Sequence, residues 1–234
     1  MTGLSKRSAL ERREDRPALS RVARVDQTRR DLFQAAAAVV GEIGYEAASI
    51  SMITRRAGVA SGTFYNYFVS RQELFDQLLP AVGEQLLARI TAAVDRDEGG
   101  VARERARFRA YFDFFAENPG FGRILNEAVV FAPRAYTDHL ERFVEGYARA
   151  LGRSLGRGEV GRFENGELRT LAFMLMGARS YLSTLQTVEA YKGARPTASD
   201  MENTYMKVIE TGLFGAVGAR SDAVDTPPMR GAHR

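Results

Sequence analysis

Ser61-Gly62-Thr63-Phe64-Tyr65-Asn66-Tyr67-Phe68 packs hydroxyls and aromatic rings into one short stretch. On a helix Phe64 and Phe68 fall four residues apart on one face, while Ser61, Thr63, Tyr65 and Tyr67 point elsewhere. Hydroxyls displayed this way donate and accept hydrogen bonds, so the chemistry they offer is recognition. An apolar underside with a hydroxyl-rich upper side suits a helix pressed into a DNA groove. Groups that make and break bonds are scarce elsewhere. The chain has no cysteine, and His139 is its one histidine away from the end, which excludes thiolate chemistry, disulfides and cysteine-ligated metals. It has no glycine-rich phosphate loop and no metal-spaced group of His, Asp and Glu, so neither catalysis nor a cofactor is expected. His139, between Asp138 and Leu140, reads as a surface or capping residue.

The elements that must position this stretch read as helices. Apolar residues step by three and four nearly everywhere, and strand-like alternation is hard to find, so the fold class is all-α. Leu32, Ala36, Val39, Val40 and Ile43 mark a first helix over about 26–43, stopped by a left-handed Gly44. Ser49 caps a second helix that turns Ile50, Ile53 and Ala57 inward. Gly58 supplies the turn, Val59 fills the angle, and the third helix spans about 61–68. Ser70-Arg71-Gln72-Glu73 has the form of a capping box and opens a fourth helix reaching about Val94. Pro80 predicts a kink within it. Beyond the polar hinge at 95–100, helices are expected at about 101–117, 119–131, 133–154, 167–191 and 199–217.

This order of helix, helix, glycine turn, short aromatic helix and capped long helix resembles the DNA-binding half of the TetR family of transcriptional regulators. The resemblance rests on residues 28–79, above all 57–68 followed by Ser70-Arg71-Gln72-Glu73-Leu74-Phe75. It implies an N-terminal three-helix helix-turn-helix DNA-binding domain over 25–72 and a C-terminal helical effector-binding and dimerisation domain over 73–217. A basic arm (1–24) and a loose tail (218–234) flank them. In such docking the second short helix enters the major groove. Ser61 and Thr63 then reach bases or phosphates, and Gly62 lets the backbone approach. The resemblance also places Tyr65 and Tyr67 against the sugar-phosphate backbone, with Arg71 on a phosphate and Ser49 and Ser51 where the preceding helix meets the duplex. Arg29, Arg55 and Arg56 are secondary. Ala60 departs from the family, which usually has a capping Ser there; alanine costs about 1 kcal/mol as a cap, and Ser61 is the substitute cap.

Net charge is +4 with a pI near 9.5, which permits nucleic-acid binding without demanding it. Residues 1–24 carry seven Lys and Arg against three Asp and Glu, as a solvated tail or as an arm adding phosphate contacts. No run has the length of a membrane span and the N-terminus lacks the apolar core of a signal peptide, so a cytoplasmic location is expected. In the second half the aromatic-rich middle is mostly core. By resemblance it also encloses a cavity for a small, largely apolar effector, with Phe112, Phe115, Arg123, Asn126, Glu127 and Arg179 as candidates. Arg179 sits among leucines and needs an anion, either Glu127 or the acid group of a ligand. The last two helices are expected to pair in a homodimer, through Leu168, Leu171, Leu175, Met176, Leu182 and Leu185 with Met201, Tyr205, Val208, Ile209 and Phe214. Small Gly177 and Ala178 permit close approach there. A two-fold dimer implies double-stranded DNA with an inverted-repeat operator, and the expected role is a repressor released by the effector. An all-helical small-molecule carrier and a nonspecific DNA-binding protein are the alternatives.

Overall fold

A computed structural model describes residues 21–161, 163–187 and 193–213. The described residues form helices joined by turns, with no strand among them: α1 (Arg21–Ala47), α2 (Ile50–Ala57), α3 (Ser61–Phe64), α4 (Arg71–Ala93), α5 (Gly100–Glu117), α6 (Phe121–Phe131), α7 (Pro133–Gly156), α8 (Leu168–Thr187) and α9 (Ala198–Val208). A π-helical turn, Ile209–Leu213, continues α9. The expected tail, most of the basic arm, the far end of α8 to Tyr191, and Phe214 lie outside the described residues.

Local chemistry sets the first four helices. Gly44 breaks α1 at φ 85, ψ 167, a positive φ as expected but an extended ψ rather than the left-handed helical one. Ser49 then caps α2, its Oγ accepting from the Met52 N–H at 3.3 Å. Gly58 closes α2 in the left-handed region, and Val59 N–H reaches back to the Thr54 carbonyl at 3.0 Å. Ser70 Oγ accepts from Glu73 N–H at 3.1 Å, and the Glu73 carboxylate accepts from Val69 N–H at 2.6 Å, which fixes the start of α4. α4 continues through Pro80 without interruption.

Two apolar clusters hold these helices. The first joins Leu32, Ala36 and Val40 of α1, Ile53 of α2, Phe64 and Phe68 around α3, and Leu74 to Leu79 of α4. It runs on without a gap into Phe114, Phe121 and Ile124. The second gathers Phe108, Val144, Leu151, Leu171, Tyr205 and Ile209 from α5, α7, α8 and α9 with its π-helical turn. Burying each large side chain is worth about 1.5–3 kcal/mol. Because the first cluster crosses from the amino-terminal helices into the body, those helices are seated on α6 as well as on α4. At the α1–α6 crossing Gly41 and Gly120 meet backbone to backbone, and a Cβ on either would fall 2.7 Å from the other's Cα.

Candidate nucleic-acid interface and interior cavity

α3 is amphipathic in the way its residue pattern predicts. Phe64 and Phe68 are sealed, ring against ring at 5.4 Å, with Phe33 of α1 edge-on to Phe68. Tyr65, by contrast, is 60% exposed, and Ser61, Gly62 and Asn66 share its openness. Thr63 and Tyr67 are half-buried, Tyr67 resting on the core of the head. A Cβ on Gly62 would meet nothing within 4 Å, so no protein neighbour requires a glycine there. Regular helix ends at Phe64 rather than Phe68, and turns to the Thr63 and Phe64 carbonyls carry the chain onward. Ala60 offers no side-chain cap. Ser61 does not replace it: its Oγ lies 3.4 Å from Thr54 Oγ1. An uncapped helix start with exposed donors is complementary to a phosphate oxygen.

The flanking candidates divide. Ser51 is exposed at the start of α2, while Ser49 is occupied as the cap and shares a 3.0 Å hydrogen bond with Ser51 Oγ. Arg71, expected on a phosphate, is exposed, but its Nη1 donates to the Ala48 carbonyl at 2.9 Å and the Glu46 carbonyl at 3.3 Å. Its guanidinium also lies over the Phe75 ring. It therefore braces the α1–α2 turn, whose last carbonyls lack helical partners. Arg29 donates to Gln77 and Arg56 pairs with Glu42 at 2.6 Å, whereas Arg55 stays exposed in the last turn of α2.

Of the six effector candidates, only Arg179 lines a cavity between α4, α5, α7 and α8, of about 590 Å³. Arg123 and Glu127 instead lock α6 onto α1. Arg123 donates to the Glu42 carbonyl, and Glu127 Oε2 accepts from the Tyr45 N–H at 2.9 Å, directly beneath the break at Gly44. A Cβ on Gly44 would fall 2.7 Å from that carboxylate oxygen. Asn126 is exposed on the same helix. Phe112 and Phe115 are aromatic core, stacked on Phe108 at 4.3 Å and Tyr111 at 4.6 Å. Tyr45 is core too, with burial pushing its phenol up.

The anion that Arg179 needs is Glu104, not Glu127. Glu104 Oε1 lies 3.4 Å from Arg179 Nη1 and accepts from Tyr147 Oη at 2.6 Å and Tyr205 Oη at 2.7 Å. Arg107 reaches the other oxygen at 3.3 Å, and Arg179 also stands over the Tyr147 ring at 4.8 Å. One buried carboxylate thus joins α5, α7, α8 and α9. Burial pushes both phenols up, so they stay protonated donors. The sequence holds a usable sign of this site: Glu104 precedes Phe108 by four and Tyr111 by seven, on the buried stripe of α5.

His139 is neither a surface nor a capping residue. It is buried between α7 and α4, tilted against Phe143 at 4.4 Å, in space that exists because residue 83 is glycine. A Cβ there would come within 2.6 Å of His139 Cε1. Burial, with the nearby Arg142 charge, pulls its pKa down to about 4. No group of three or more metal-ligating side chains occurs among the described residues, and no described helix is long and apolar enough to cross a membrane.

The residues expected to pair divide between the protomer's interior and its surface. Leu168, Leu171 and Leu175, with Met201, Tyr205 and Ile209, are consumed by the protomer's own second cluster. The large apolar side chains left exposed are Phe173, Met174 and Tyr181 on α8 and Val208 on α9. α8 is apolar on two sides, and residue pattern alone does not say which side the protomer keeps.

A short two-helix turn presenting an exposed hydroxyl and aromatic face, seated on an all-helical body, has the form of a helix-turn-helix head. Residues 32–78 match the family described as bacterial regulatory proteins, tetR family. The match is confined to these amino-terminal helices, and over them the chain resembles the DNA-binding head of that family. It is similar to the HTH-type transcriptional repressor KstR2 of Mycobacterium tuberculosis, 34% identical over 96 residues, 41% of this chain and 48% of that one. The chain thus spans about half the length of that relative. Its fold is like that of the fatty acid degradation regulator FadR from Bacillus halodurans, at 17% identity and a TM-score of 0.68 over 82% of this chain and 97% of that one. It is likewise similar to the transcriptional regulator FadR from Bacillus subtilis in complex with stearoyl-CoA, at 18% identity and a TM-score of 0.66 over 79% of this chain and 98% of that one.

Proposed function

We propose that the chain is a ligand-responsive repressor, which holds an inverted-repeat operator as a homodimer and leaves it when a small molecule occupies the body. The observation carrying this reading is the division of α3 and its turn between a sealed Phe64–Phe68 underside and an exposed Ser61, Gly62 and Tyr65 face. A core helix would have no reason to leave a tyrosine 60% exposed beside two sealed phenylalanines. The head over 25–72 is the reading part and the body over 73–217 the sensing and pairing part. Phe173, Met174, Tyr181 and Val208 form the surface that a second copy covers. Repression in KstR2 and the acyl-thioester complex of FadR support the same division of labour.

DNase footprinting of the purified protein on the DNA upstream of its own coding sequence tests the proposal. Protection of a two-fold symmetric site is the expected result. Uniform or absent protection would overturn it. Native mass spectrometry tests pairing: a dimer is expected at micromolar concentration, and a monomer would refute the α8–α9 surface as an interface.

A further inference from the structure

The head meets the body at two places. One is α4, whose early turns, Leu74 to Leu79, belong to the head's own core before the helix runs on into the body. Joined by that rod alone, the head would be free to roll about its axis. The other is the turn over 44–49, between α1 and α2, and it is held from two sides.

From α6, Glu127 Oε2 accepts from the Tyr45 N–H at 2.9 Å and Arg123 donates to the Glu42 carbonyl. From the start of α4, Arg71 Nη1 donates to the carbonyls of Ala48 at 2.9 Å and Glu46 at 3.3 Å. Gln72 beside it donates to the Phe131 carbonyl at 2.8 Å, which ties the start of α4 to the end of α6. Tyr45 is fully buried between the same two helices, its ring edge-on to Phe75 at 4.9 Å and stacked on Phe131 at 6.0 Å. The chain leaves this turn through the Ser49 cap straight into α2 and, past Gly58, into α3. Whatever holds residues 44–49 therefore sets the angle of α3 against the body.

We infer that Glu127 and Arg71 are positioning residues that select the half-site spacing of the operator. By clamping the 44–49 turn to α6 and α4 they fix the distance and angle between the two heads of a dimer. The inference rests on the paired-repressor reading above and deepens it. The heads of a two-fold dimer are joined through their bodies. Once one head is bound, the other finds its half-site at an effective concentration set by the stiffness of both joints. A stiff joint concentrates the second head at one separation, whereas a slack one spreads it over several. Each inserted base pair moves the half-sites about 3.4 Å further apart and turns one about the duplex relative to the other.

Fluorescence anisotropy on the full chain, at fixed salt, compares the footprinted site with the same site carrying two extra base pairs between its halves. The parent is expected to prefer the natural spacing by about a hundredfold. Glu127→Ala should cut that preference about tenfold, by losing affinity for the natural site and not for the lengthened one. Glu127→Gln, whose amide oxygen still accepts from the Tyr45 N–H, should keep the parental preference. Partial unfolding weakens both duplexes alike and leaves the ratio unaltered, so the ratio separates placement from stability. Arg71→Ala, at an exposed side chain, is the second variant and decides alone if Glu127→Ala lacks the parental circular dichroism. Its preference should also fall about tenfold, with the parental slope of log affinity against log salt, since a lost phosphate contact would lower that slope by about 1. An unaltered preference in the folded variant, a Glu127→Gln protein that behaves like Glu127→Ala, or a slope lowered by about 1 in Arg71→Ala would overturn the inference. A parent that does not tell the site from a scrambled duplex sinks the regulator reading. One that does so yet accepts both spacings equally sinks this inference alone.

Discussion

Glu104→Ala removes the carboxylate that four side chains share. Glu104 is 1% exposed, takes hydrogen bonds of 2.6 and 2.7 Å from two phenols, and faces two guanidinium groups at 3.3 and 3.4 Å. Deleting one side of a buried ion pair costs about 3–5 kcal/mol, because the opposite charge stays behind in a poor solvent. Here that charge is Arg179, with a side chain 5% exposed; Arg107, at 13%, is relieved more easily. Each phenol left without an acceptor adds about 1–3 kcal/mol. These losses share one site and overlap, so a total of about 5–8 kcal/mol is expected rather than their full sum. That rivals the whole stability of a typical domain, about 5–15 kcal/mol. Glu104→Gln keeps the shape and one acceptor oxygen, and should lose about 2–4 kcal/mol, mostly through the charge. Urea unfolding followed by circular dichroism, at several protein concentrations to separate dimer effects, reads both. A Glu104→Ala protein within about 1 kcal/mol of the parent would refute the reasoning, since effects that small characterise surface sites.

Three further outcomes are expected. His139 is held neutral by burial at a pKa of about 4 against the usual 6.5. The unfolded chain therefore binds a proton between those values that the folded chain refuses. Stability is undiminished above pH 6.5, falls as the pH drops towards 4, and levels below it, by roughly 3 kcal/mol in all. His139→Phe should flatten that slope in urea titrations taken across this window, and an unchanged slope would place the effect elsewhere. Gly83→Ala drives a methyl into the His139 ring, which Phe143 and Phe121 flank at 4.4 and 6.4 Å. Overpacking of about 1–3 kcal/mol should outweigh the gain in helix propensity of about 1 kcal/mol, and Gly83→Ala with His139→Ala should recover part of the loss. Glu127→Ala leaves the Tyr45 N–H without its acceptor. A loss of about 1–3 kcal/mol is expected, with faster hydrogen exchange at that amide; unaltered exchange would show that the α6–α1 brace is not formed in solution.

How much of this was legible in the residues depended on whether the signal was local. The capping serines Ser49 and Ser70, the left-handed Gly58 and the Phe64–Phe68 pair act within one or two turns of chain, and each stands where the pattern puts it. Partners separated by many residues were not legible. Arg179 finds Glu104 across 75 positions, and Arg71 turns back to Ala48 across 23, because the helices that meet are chosen by packing. Glu127 and Arg123 share a turn with Ile124, which suggested a pocket. They are instead the seam between head and body, since Gly41 and Gly120 let α1 and α6 approach that closely. His139 has a polar neighbour in Asp138 that suggests the surface, yet Ala135 and Phe143 at four-residue steps place it on a buried stripe. That most of the expected pairing leucines are buried in the protomer itself was hidden for a related reason, because a helix apolar on two sides carries no mark of which one the protomer retains.

The most direct test of the account is fluorescence anisotropy with a duplex bearing the footprinted site and a scrambled duplex, at one fixed salt concentration, for the parent and Tyr65→Ala. The parent is expected to prefer its site by about 10³-fold or more. Tyr65→Ala should bind the site about ten- to a hundredfold more weakly, from the loss of a hydrogen bond to a charged phosphate. Its unfolding curve should be unchanged, because Tyr65 is largely exposed. Equal affinity of the parent for both duplexes, or full site affinity in the Tyr65→Ala protein, would contradict the claim that the exposed face of α3 reads DNA.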